Sequence, residues 1–112
     1  MTPTHADMIA LIRGKTNRDR RKLGNNLWGF IRTDGAVAIM LHSTYIVILY
    51  PDGTAMVNSG GYHTHTTKKR INQFSPIKVY QKNWEWFFEN HVPFTDYSIV
   101  SADWVAPAPA PV

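Results

Sequence analysis

The spacing of apolar residues changes character near Leu27. Before it, Met8, Ile9, Leu11 and Ile12 recur at partial i, i+3, i+4 intervals within TPTHADMIALIRGK. That spacing predicts a short helix with one face on the core. Thr4 is placed to cap the helix, Asp7 to sit in its first turn and Gly14 to end it. After Leu27, the runs LWGFIRT, AVAIMLHS, TYIVILY and TAMVNSG are rich in β-branched and aromatic residues and predict strands. Asp34-Gly35 marks one hairpin and Pro51-Asp52-Gly53 a second turn. The run from Ala36 to Tyr50 is too long for one flat strand, so it bends or turns near Ser43-Thr44. Gly60-Gly61 predicts a bulge or sharp bend.

A second short helix is expected over TTKKRINQF, with Thr66 or Thr67 as cap and Pro76 beyond its end. IKVYQK and WEWFFEN then predict a hairpin turning at Lys82-Asn83. HVPFTDYSIV is placed at an edge, since Pro93 cannot donate to a central ladder. The APAPAPV tail is expected to be extended and outside the core. The fold class is therefore α+β: a short N-terminal helix, a curled antiparallel meander of five to six strands with one inserted helix, and an extended tail. The chain divides into 1–26 (helix and basic arm), 27–105 (one β-rich domain) and 106–112 (tail).

Composition bounds the function. With 112 residues, 44% of them hydrophobic, the chain is one folded domain rather than a disordered segment. It contains no cysteine, which excludes disulfides and thiolate metal sites and fits a reducing compartment. No apolar run is long enough to predict a membrane helix, and the N-terminus lacks the pattern of a secretory signal. The net charge of +4 is unevenly spread. Residues 1–82 hold all twelve cations against Asp7, Asp19, Asp34 and Asp52, a balance of +8. Residues 83–112 hold Glu85, Glu89, Asp96 and Asp103 and no cation, a balance of −4. Such asymmetry suits a basic face that meets a polyanion.

Two stretches carry candidate chemistry. KTNRDRRKLGNN, read as an exposed loop, an arm or an extension of the first helix, offers Arg18, Arg20, Arg21 and Lys22 to a phosphate backbone. SGGYHTHTTKKRINQF collects glycines, histidines, threonines and cations. With a cap at Thr66 or Thr67, the cations Lys68, Lys69 and Arg70 fall at the positive end of the helix dipole, where each is unfavourable by about 0.3–1 kcal/mol. An anion bound by Thr66, Thr67, Lys68, Lys69 and Arg70 would relieve that conflict. The plain alternative is a capped helix with solvated cations, docked through Ile71 and Phe74.

His42, His63 and His65 raise zinc as a further reading, without the cysteines or spaced carboxylates that would support it; no metal or other cofactor is assigned. The two His-x-Thr triplets, HST at 42–44 and HTT at 65–67, resemble the paired motifs of 2H phosphoesterases, in which two histidines act as acid and base. His42 and His65 would take those roles here. Trp28 and Trp84 are expected in the core, with Trp84 and Trp86 on one strand face; base stacking is the alternative use of the tryptophans.

KLGNN, LHSTYIV, SGGYHTHTTKKRIN, VYQKNWEWFF and VPF together resemble a family of small uncharacterised phage-encoded proteins carrying a Gly-aromatic, Thr-Thr-Lys-x-Arg-Ile-Asn segment. The resemblance spans residues 22–100, and Tyr62 stands where that family would hold tryptophan. It implies a phage gene product of the host bacterial cytoplasm or the virion, and it implies no mechanism. The expected function is a non-enzymatic accessory protein binding nucleic acid or another phosphate-rich partner. The alternatives are a module that binds a host or virion protein, and a small phosphodiesterase. A homo-oligomer through an edge strand is open, and no membrane partner is expected.

Overall fold

The computed structural model of the chain describes residues 2–102. The elements run α1 (His5–Arg13), β1 (Arg20–Gly24), β2 (Leu27–Ile31), β3 (Val37–Leu41), β4 (Thr44–Leu49), β5 (Ala55–Val57), α2 (His65–Phe74), β6 (Val79–Lys82), β7 (Glu85–Phe88) and β8 (Ser98–Val100). Strands β1 to β5 form an antiparallel meander, and β8 returns to pair with β5, giving the order β1-β2-β3-β4-β5-β8. The α+β class holds. The β6–β7 hairpin forms its own two-stranded sheet rather than prolonging the meander.

The turns fall where the short-range signals put them. Gly35 N–H bonds to the Arg32 carbonyl and Gly53 N–H to the Tyr50 carbonyl, closing the β2–β3 and β4–β5 connections. The long apolar run breaks into β3 and β4 at a two-residue loop, with Leu41 opposite Thr44 and His42 at φ 55°. His42 is therefore a loop residue, not a strand residue. Residues 20–24 correct a second expectation. They are a strand on the sheet edge, neither an arm nor a helix extension.

Alternation along the strands gives the sheet two unlike faces. Leu27, Val37, Ile39, Val47, Val57 and Val100 point to one side and are at most 1% exposed. Against them pack Met8 and Ile12 of α1, Ile71 and Phe74 of α2, and Trp86 and Phe88 of the hairpin. Both helices and the hairpin thus cover the same face. Gly29 lets α1 come this close, for a Cβ there would lie 2.9 Å from the Ile12 methyl. The opposite face carries a small second cluster of Ala36, Ala38 and Ile48, flanked by the half-buried Phe30, Tyr50 and Met56.

Candidate functional site

Helix α2 starts earlier than the threonine pattern suggested. Its N-cap is Thr64, in extended conformation, and not Thr66 or Thr67. The Thr64 hydroxyl accepts from Thr67 N–H at 3.2 Å and donates to the Thr67 hydroxyl at 3.0 Å. Thr67 is consumed by this cap and is 5% exposed. The shift moves Lys68, Lys69 and Arg70 past the first turn. The expected conflict with the helix dipole does not arise there, because the dipole acts chiefly within the first and last turns.

The rest of this segment is largely structural. Ile71 is in the core. The Asn72 carboxamide brackets β6, donating to the Val79 carbonyl at 2.8 Å and accepting from Val79 N–H at 2.7 Å. Lys78, not singled out from sequence, donates to the Asn72 carbonyl at 2.6 Å and the Ser75 carbonyl at 3.3 Å. It places a cation at the negative end of α2, where one is favourable. Gly60 and Gly61 turn at φ 64° and 83°, and Gly60 approaches Thr44 closely.

The histidines do not converge. His42 lines a cavity of about 340 Å³ with Ser43, Thr44, Tyr62, Thr64 and Thr66. His65 opens α2 and is not among the residues lining it. His63, expected on a strand face with His65, lies in the loop before α2 and stacks on Trp86 at 4.4 Å between ring centroids. Among the described residues no three His, Asp or Glu side chains gather as metal ligands.

The basic segment forms a coherent edge. Arg18, Arg20, Arg21 and Lys22 are all exposed. Arg13 is held by Asp19 at 3.2 Å, and Arg21 donates to the Leu11 carbonyl at 2.8 Å, at the C-terminal end of α1. Arg18, Arg20 and Lys22 make no side-chain hydrogen bond or ion pair with any described residue. Arg70 joins the same edge, since a Cβ on Gly24 would lie 3.3 Å from its Nη2. The structure thus brings one cation of α2 to the end of β1, while Lys69 projects into solvent from the helix.

The tryptophans also depart from expectation. Trp28 is half-buried, on the sheet face away from the helices. Trp84 is not core: it sits in the β6–β7 turn at φ 67°, beside Asn83 at φ 52°, and is 90% exposed. Two successive positive φ angles suit a two-residue hairpin, where Asn-Gly is the ordinary choice. Trp104 and the Ala-Pro tail lie outside the described residues.

Residues 1–106 match the family described as Kyanoviridae Gp96 protein. The chain belongs to this phage protein family. The match takes in α1, so the family extends beyond the 22–100 span over which the sequence resemblance was drawn. No curated protein and no solved structure matches the chain. Among the described residues no helix is long and apolar enough to cross a membrane.

Proposed function

We propose that this member of the Kyanoviridae Gp96 family is a non-enzymatic nucleic-acid-binding protein that engages phosphates through the β1 edge. One observation carries the reading. Residues 13–22 hold six cations, all exposed, against the single acid Asp19, and three of them, Arg20, Arg21 and Lys22, lie on the edge strand β1. Cations held on a strand lose less freedom on binding than cations on a loose arm. Arg70 extends the patch.

The variant Arg18→Ala/Arg20→Ala/Lys22→Ala tests it. These side chains make no hydrogen bond or ion pair with a described residue, so the fold should stand. Affinity for a labelled oligonucleotide should drop at least ten-fold near 0.1 M salt. Unchanged affinity would remove the β1 edge from the site. For the phosphodiesterase alternative, turnover that disappears in both His42→Ala and His65→Ala would be needed.

A second reading has its own observation. An almost fully exposed Trp84 on a strained turn is the kind of aromatic anchor that fills a pocket on a partner protein. A host or virion protein that binds the native chain and not Trp84→Ala, at high salt and after nuclease, would favour it.

A further inference from the structure

We infer that the open face of the six-stranded sheet is a stacking platform for single-stranded nucleic acid. The inference rests on the reading just given and specifies its ligand. Both helices and the β6–β7 hairpin cover the other face. On the open one, strand register lines up two rows of side chains. Lys22, Trp28, Met40 and Tyr45 form the first; Arg20, Phe30, Ala38 and Ile48 lead the second.

The aromatic members of these rows meet. Trp28 and Phe30 lie 6.4 Å apart with ring planes within 22° of parallel. Phe30 and Tyr45 are also 6.4 Å apart, edge to face, across the small Ala38. Tyr45 is 47% exposed. The three rings form a continuous aromatic strip on this face, with Trp28 and Phe30 half-buried and Tyr45 exposed.

Charge on the same face selects the ligand. Arg20 is the cross-strand partner of Phe30, and Lys22 that of Trp28. Each cation therefore stands beside a ring, on the row that carries it. None of the six strands contains Asp or Glu. A second copy of this chain would bring to this face the same two cations and no strand carboxylate to pair with them. A single strand instead offers π-faces to the rings and phosphates to Arg20 and Lys22. A duplex keeps its bases stacked on each other and has none to offer. Two or three bases fit a strip of three rings, as on other aromatic sheet faces.

The test uses the full chain, fluorescein-labelled dT12 and U12, and a duplex of the same length, read by anisotropy at about 0.1 M salt. The single strands should bind at least ten-fold tighter than the duplex. Tyr45→Ala, at the most exposed of the three rings, should weaken single-strand binding five-fold or more, the loss of one stacked base. Tyr45→Phe keeps the ring and should bind as the native chain does. Trp28→Ala and Phe30→Ala should follow Tyr45→Ala, provided circular dichroism shows them folded. Equal affinity for both forms, with Tyr45→Ala unaffected, would overturn the platform and leave the electrostatic edge intact. Binding to neither form would overturn both. A dimer by sedimentation that Tyr45→Lys dissociates would give this face to a second copy and overturn the inference.

Discussion

Gly60→Ala tests the packing that holds the β5–α2 loop. Gly60 has φ 64°, a conformation that costs an L-residue about 1–2 kcal/mol. A Cβ there would also lie 2.7 Å from Thr44 Cγ2 and 2.9 Å from Thr44 Oγ1. The clash adds about 1 kcal/mol after relaxation, at the low end for overpacking. Together they predict a loss of about 2–3 kcal/mol, or about 8–12 °C in Tm for a domain of this size. The clash part belongs to Thr44 and the dihedral part does not. Thr44→Ala should therefore recover about 1 kcal/mol in the Gly60→Ala background, a non-additivity that a double-mutant cycle reads directly. Urea denaturation of the four proteins supplies the cycle. Additive losses, or a Gly60→Ala protein melting within about 1 °C of the native chain, would refute this account of the loop.

Asn72→Ala removes both bonds to Val79 and leaves its backbone groups without their partner; it should cost about 1–3 kcal/mol in urea denaturation. His63→Ala loses the ring stacked on Trp86 and should cost about 0.5–1.5 kcal/mol, with oligonucleotide affinity unchanged. Asp7 is held below the ordinary carboxylate range by the backbone N–H and then the hydroxyl of Thr4, in the capping box of α1. Its folded form thus releases its proton more readily than its unfolded form, so its contribution is complete above the unfolded value near 3.8 and lost as pH falls through the lower folded one. Melting temperatures followed from pH 6 down to pH 2 should fall less steeply for Asp7→Asn than for the native chain.

Much of the fold was legible because short-range chemistry dictates it. Asp34-Gly35 and Pro51-Asp52-Gly53 fix two turns, and Thr4 with Asp7 fixes the start of α1. Strand β1 was not legible: RRKLG has no buried residue, and an edge strand can carry cations on both faces without packing to betray it. The cap of α2 was ambiguous within THTT, where each threonine can serve, and the shift to Thr64 moved three cations out of the first turn. Trp84 read as strand because the hairpin lacks the glycine that announces such a turn. The runs VAIML and TYIVIL are apolar at nearly every position, so no alternation marks which side faces solvent. Only the arrangement of both helices on one face left Trp28, Phe30 and Tyr45 uncovered. The aromatic strip is a property of topology, so no local pattern could display it.

The most direct test of nucleic-acid binding is the salt dependence of affinity for a single-stranded oligonucleotide between about 50 and 200 mM salt. Contacts from Arg18, Arg20, Lys22 and Arg70 predict a log–log slope of about −3, at roughly −0.7 per neutralised phosphate. The Arg20→Ala/Lys22→Ala protein should show a slope shallower by about 1.4. No measurable binding at the lowest salt, or an affinity indifferent to salt and to both substitutions, would contradict the account.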